Sequence, residues 1–309
     1  MKFYPFTTGD NGMSKSTEVV VQEQPIKRAL CINSLEELVA LIKGESETID
    51  TRFVDRKICE DVSMGYLQVI PYVAFYHTDV QEGKIHVVQY LRASGINEDR
   101  LLSKTSIGFG GHIDSEEDMA GGVFVPMEDG NNMYVLTKDE LLNSVFKAAE
   151  RELQEELSLN VKEDLGLDFD SKNAVFFMGS PEEEVNKVHL GVAILFKLTK
   201  EQLDKFFEVI SPNKEEIDTI DKMTINLANI IEDMNSSVII NGIKSELRHK
   251  HNTEDWSLQV LELIIKTEIN DIMAPISYHH LVELSKQLKD IMAIHQSLVE
   301  QEAASSTEQ

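Results

Sequence analysis

The chain has 309 residues, 42% of them hydrophobic and 27% charged, with a formal charge of −25. That composition is typical of an ordinary folded soluble protein, and its acidic excess argues against broad electrostatic binding to nucleic acid or an anionic membrane, since both rely on clustered Lys and Arg. A phosphate-bearing small molecule remains compatible if metal ions neutralise its site locally.

Cys31 and Cys59 have neither metal-type spacing nor the pattern of a disulfide framework, which points to a reducing compartment. The first twenty residues contain no apolar run of signal-peptide type, and no stretch is long enough to span a bilayer. A cytoplasmic protein is the expectation.

Residues 1–51 read as an extension, in which Leu35, Leu38, Val39 and Ile42 fall at helical spacing behind Ser34 as N-cap. The runs "GYLQVIPYVAFYHT" and "KIHVVQYLRA" follow, β-branched and aromatic, with a polar turn at Glu82 and Gly83 between them. They predict a hairpin or neighbouring strands of a mixed sheet. In "SIGFGGHID" the paired glycines suit a tight turn or a close backbone approach. Residues 115–136 form a polar insertion with a short strand at "NMYVLT", and a helix is predicted from Lys138 to Leu157. Beyond it, "NAVFFMGS" and "KVHLGVAILFKLT" predict strands and "KFFEVIS" a weaker one. From Met223 onward the pattern is helical, through "INLANIIEDM", "EDWSLQVLELIIKTEI" and "SYHHLVELSKQLKDIMAIHQSLV", to a disordered tail. Strands flanked by helices on both sides predict an α/β layered domain.

On the Lys138–Leu157 helix, Phe146, Ala149, Leu153 and Leu157 make the inward face, while Glu152, Glu155 and Glu156 share another within one turn. Three unpaired carboxylates that close repel one another, and a divalent cation with a preference for oxygen ligands would relieve the repulsion. Arg151 can reach Glu155 at i+4 and fix its orientation. A solvated charged face is the plain alternative. Against it stand the Gly110–Gly111 pair, whose carbonyl could add an oxygen ligand, and the order Arg-Glu-Leu-Gln-Glu-Glu.

With those residues the sequence resembles the Nudix hydrolase family. The family signature reads Gly, five residues, Glu, seven residues, then Arg-Glu-aliphatic-any-Glu-Glu-any-Gly-aliphatic. "RELQEELSL" matches its second half except that Ser158 stands for the glycine. The wider context, "QVIPYVAFYH", "SIGFGGHID" and "VHLGVAILF", looks like a MutT-related, phosphoesterase-type subgroup of bacteria and phages, over roughly residues 52–266. The departures are specific. Gly111 and Arg151 are 40 residues apart rather than 14, and the glutamate expected eight before the arginine falls on Asn143, with Glu140 a turn earlier.

The resemblance implies a Nudix-type α/β/α sandwich with a mixed sheet and helical terminal extensions. It implies water attack on phosphorus in a nucleoside diphosphate linked to another moiety. It also implies Mg²⁺ or Mn²⁺ held by Glu152, Glu155, Glu156 and the Gly111 carbonyl. Catalysis is expected from Glu152, Glu155 and Arg151, with Glu152 able to orient or deprotonate water. Arg92, Lys104 and His112 are candidate phosphate contacts, each also readable as a surface cation or a structural histidine. Glu182, Glu183 and Glu184 are candidates for a further acid from outside the helix. Phe75, Tyr76 and Tyr90 read as core in preference to base-stacking, Trp256 as a packing anchor, and His189 as structural; His279 and His280 receive no role.

Three segments are thus expected: an extension over 1–51, a hydrolase-like domain over 52–266, and a C-terminal helix and tail over 267–309. The stripe Leu281, Leu284, Leu288, Ile291 and Ile294 suits packing on the core or pairing with a second copy, and a homodimer is expected. A catalytically silent Nudix fold acting as a nucleotide-binding or interaction module is the rival reading, and an enzyme acting on capped or triphosphate RNA is a weaker third.

Overall fold

A computed structural model describes residues 27–93, 103–127, 132–180, 182–227, 230 and 236–273. Its spine is β3 (Leu67–Asp79), thirteen residues whose two faces are both covered. Val69, Val73 and Phe75 point into one core, and Tyr72, Ala74 and Tyr76 into another. That period of two lets a nearly continuous apolar run serve two layers.

On one edge of β3 lies β10 (His189–Lys197), parallel, in register from His189↔Gln68 to Lys197↔Tyr76. Three strands share the opposite edge: β1 (Arg28–Ile32) near its start, β6 (Gly108–Phe109) at the middle, and β4 (Lys84–Arg92) at its end. From β4 the sheet continues to β5 (Thr105–Ser106) and β11 (Ile217–Asn226), and from β10 to β9 (Ala174–Phe177). From β1 it continues through β2 (Thr48–Asp55) and β8 (Met133–Thr137) to β7 (Val123–Val125).

One face carries α1 (Leu35–Lys43), α3 (Lys138–Leu157), the short α4 (Val161–Leu165) and α5 (Lys200–Val209), while a single turn, α2 (Arg56–Cys59), follows β2. The other face is covered by α6 (Ser236–Lys250) and α7 (Asp255–Met273). The fold is therefore the expected α/β/α sandwich on a mixed sheet. Among the described residues no helix is long and apolar enough to cross a membrane.

Several expectations are corrected. "KFFEV" of "KFFEVIS" is the end of α5, and no part of the stretch is a strand. Thr199 caps that helix, its hydroxyl accepting from the Gln202 amide and its own amide donating to the Gln202 side chain, and this start signal outweighs the local β propensity of the phenylalanines. Met223–Asn226, read as the start of a helix, ends β11, an edge strand whose charged outward residues hide its period. The expected boundary at 51/52 falls inside β2, and that at 266/267 falls inside α7. The strands β1 and β2 escaped notice because "RALCI" is short and runs straight into the helical pattern of α1. The stripe Leu281–Ile294, and with it His279 and His280, lies outside the described residues.

Helix α3 starts at a capping box, Thr137 with Glu140, which places Glu140 at the helix start, three turns from the acidic cluster. It ends at Ser158, whose φ of 54° is left-handed; its amide bonds back to Gln154 and Leu153, and the Leu159 amide to Leu153. This is the exit for which the signature uses glycine. Serine adopts it at a steric cost of about 1 kcal/mol, so Ser158→Gly is expected to raise stability by about that amount in urea denaturation.

Candidate active site at the end of the acidic helix

The Gly110–Gly111 bend leaves the sheet directly after β6 and lands on the last turns of α3. Gly110 has φ 151°, and a Cβ there would strike the Pro71 carbonyl. A Cβ on Gly111 would overlap the Glu152 carboxylate. The two motif halves, 40 residues apart in sequence, are in contact.

Arg151 makes that junction rigid. Its Nη2 donates to the His112 carbonyl at 2.9 Å, Nη1 to Glu152 Oε1 at 2.8 Å and to Glu155 Oε2 at 3.4 Å. Nε and Nη2 together grip both oxygens of Asp118, at 3.2 and 3.1 Å, and Asp114 lies 3.6 Å from Nη2. Asp118 is buried and sits in a short 3₁₀ turn of the insertion, Glu116–Asp118. Further bonds attach the insertion to α3: the Ala120 amide to Ser144 Oγ, and Lys147 Nζ to the Met119 carbonyl. The insertion thus supplies the partner that aims the motif arginine. Asp118→Asn removes a half-buried two-point pair. A loss of about 2 kcal/mol is expected in urea denaturation.

The three glutamates have different environments. Glu155 is exposed, and Glu152 is only 13% exposed. Burial pushes the Glu152 carboxyl up to about 7, with Glu155 and Asp114 adding to the rise and Arg151 opposing it. Glu156 is 5% exposed, and burial, then the charge of Glu152, lifts its carboxyl well above the usual range. Its Oε2 makes no hydrogen bond among the described residues. A buried acceptor without a donor marks a place where another group belongs.

Arg92 lies toward the same cluster, but its Nε is bound to Glu254 Oε2 at 3.3 Å and its guanidinium stacks 5.4 Å above the Tyr90 ring. Burial works against the ionised form of Glu254, yet Arg92 and the hydroxyls of Ser106 and Tyr72 keep its carboxyl below the usual range. Trp256 donates to Asn186 at 2.8 Å and packs on Tyr72 and Phe177, as a helix anchor should. Phe75, Tyr76 and Tyr90 are core residues. The His112 and His189 rings meet edge to face at 5.6 Å, so His112 reaches Arg151 through its carbonyl. Lys104 accepts the Arg92 amide through its carbonyl at 3.1 Å. Glu182 and Glu183 are exposed on a turn.

Sequence reasoning did not single out Asp114, Asp118, Glu216 or Glu254. Glu216 is half-buried, and burial followed by the Glu155 charge raises its carboxyl. The neighbouring Asn213 amide donates to the Glu156 carbonyl at 2.7 Å. Their only sequence signal is acidity, common in this chain.

Among the described residues no three His, Cys, Asp or Glu side chains stand ready-made around one ion position. The donor set still fits a hard divalent cation: carboxylate oxygens, one of them without a partner among the described residues, beside a glycine bend whose missing Cβ lets the Glu152 carboxylate approach the backbone.

No family model matches the chain. It is 32% identical over 136 residues to Protein YmaB of Bacillus subtilis strain 168, an alignment covering 43% of this chain and 50% of YmaB. The chain thus spans about half the length of the curated relative it matches. Among solved structures it is similar to Tm1382, provisionally described as a Nudix hydrolase, with a TM-score of 0.37 and 17% identity over 78% of this chain and 99% of that one. A MutT/nudix family protein from Enterococcus faecalis gives a TM-score of 0.28 and 12% identity over 63% of this chain and 67% of its own. Scores this low carry no argument about the fold, which rests on the sheet and its two helical layers.

Proposed function

We propose that the chain is a Nudix-type, metal-dependent hydrolase that cleaves the phosphoanhydride of a nucleoside diphosphate linked to another moiety. The observation that carries this reading is the contact between Gly111 and Glu152, locked by Arg151 onto His112, Asp118 and Glu152. It is the juxtaposition that the signature requires, assembled across an insertion that the signature lacks.

Glu152, Glu155, Glu156 and the Gly111 carbonyl would hold Mg²⁺ or Mn²⁺. The ion supplies neutralisation of the anionic substrate and acidification of water. Glu152, beside the glycine bend, would also orient or deprotonate the attacking water. Arg151 keeps that carboxylate in one orientation. The His112 ring, beside the bend, is a proposed phosphate contact together with Lys104 and Arg92, whose Nε is already bound to Glu254. Free thiols at Cys31 and Cys59 fit a reducing, cytoplasmic location. A homodimer is part of the proposal, and light scattering that finds only monomer removes it.

The second reading, a silent fold that binds nucleotide, is favoured by the absence of a ready-made ligand set among the described residues. A panel of nucleoside diphosphate conjugates with Mg²⁺ or Mn²⁺ separates the two. Turnover that disappears in Glu155→Gln supports the hydrolase; calorimetric binding without any product supports the silent fold.

A further inference from the structure

Away from the acidic helix, the two cysteines of the chain have come together. Cys31 lies in β1 and Cys59 ends α2, and their sulfurs are 3.0 Å apart in a small core with Ala29, Val54 and Tyr66. Both side chains are fully buried. Nothing in the spacing of 28 residues predicts the meeting; it follows from β1 pairing with β2 and from α2 folding back after it, where the Arg56 amide bonds to the Lys27 carbonyl at 3.0 Å.

We propose that Cys31 and Cys59 are a peroxide-oxidisable dithiol, a modification site that closes to an intramolecular disulfide in the folded chain. A disulfide needs sulfurs about 2 Å apart, so closure asks for a shift of only about 1 Å. The two sulfurs share a hydrogen bond. Cys59, flanked by the exposed Ile58 and Glu60, is the one next to the surface and is assigned the attack.

The chemistry balances with a hydroperoxide as oxidant. The Cys59 thiolate attacks one peroxide oxygen; the sulfur–oxygen bond forms, the oxygen–oxygen bond breaks, and the alkoxide or hydroxide leaves with the proton that Cys59 gave up. Cys31 then attacks the sulfenic sulfur; the sulfur–sulfur bond forms and the sulfur–oxygen bond breaks. Hydroxide leaves and takes the Cys31 proton as water. Two thiols lose two hydrogens, and the peroxide is reduced to an alcohol and water, or to two waters when it is hydrogen peroxide. A small oxidant suits the burial, with entry beside α2, a single turn whose Ile58 and Glu60 are exposed. Disulfide closure would stiffen β1, whose Leu30 amide bonds at 2.8 Å to the Ile113 carbonyl, just past the glycine bend.

The test does not depend on the catalytic reading. The native full-length chain is treated with hydrogen peroxide, then denatured and labelled with maleimide. Reactive thiols should fall from two to none, a non-reducing peptide map should contain the Cys31–Cys59 link, and Tm should rise by roughly 5–10 °C and return with reductant. Cys59→Ser should leave Cys31 labelled. If that variant does not fold, the map of the unaltered chain decides. Met64, 51% exposed, reports the peroxide dose. Both thiols surviving a dose that oxidises Met64 overturns the proposal, as does a link that forms only in urea or only between chains.

Discussion

Glutamine at position 156 should lower turnover on the order of 10³-fold and yet make the folded chain more stable. The activity loss follows from removing one anionic oxygen ligand, since a metal contributes several kcal/mol of charge stabilisation and each factor of ten is about 1.4 kcal/mol. The stability gain follows from the site's metal-free state. Glu156 is buried, its carboxyl is lifted first by burial and then by Glu152, and its Oε2 has no hydrogen-bond partner among the described residues. A carboxyl raised in the folded state favours folding least at high pH, where the unfolded chain gains by ionising it. A neutral amide of the same shape escapes that penalty. The measurements are turnover on the conjugate panel and thermal melting at pH 7.5 in the presence of a chelator. Loss of both activity and stability would make Glu156 a structural residue; unchanged turnover would remove it from the site.

The second large effect concerns pH and metal together. The Glu152 carboxyl moves from the ordinary 4.5 to about 7. Its contribution is therefore fully present below pH 4.5 and is lost as pH rises through 7, a swing of about 3 kcal/mol. Other carboxylates, such as Glu140 and Glu262, are held below their usual range and work in the opposite direction, losing their contribution as pH falls. The quantity to measure is therefore the stability of Glu152→Gln minus that of the unaltered chain, which should grow from near zero at pH 4.5 to about 3 kcal/mol at pH 8. Mn²⁺ should shrink that difference, because a bound cation favours the ionised carboxylate and binds only the folded chain. A difference independent of pH would mean that Glu152 titrates as a solvated side chain. A difference indifferent to Mn²⁺ would leave the proposed ion without a ligand at this position.

The acidic helix was legible because its signals agreed, the 3.6-residue apolar spacing and glutamates sharing one face, and the structure adds a capping box at Thr137–Glu140. The central strands were legible for the same reason, since "PYVAFY" and "GVAILF" are buried on both sides. Elements whose stability comes from tertiary partners were missed. β11 shows no clean alternation, and β1 and β2 make sense only as a pair. Within the site, the motif glutamates stand at fixed helical offsets and announce themselves. Asp118 and Glu254 do not, because their partners Arg151 and Arg92 lie 33 and 162 positions away. Arg151 draws in Asp118 from the insertion and Asp114 from just before it, a convergence that shows only in three dimensions.

The pairing of β2 with β8 ties together two of the segments that make this chain longer than the signature requires, the N-terminal extension and the insertion. Five residue pairs, from Thr48↔Thr137 to Arg52↔Met133, join them. A shortened chain starting after Asp55 would strip β8 of its inner neighbour and leave a raw strand edge open to other copies. Removing the insertion instead would bare β2 and take away Asp118. Neither segment is a dispensable accessory, because each covers the other's strand edge.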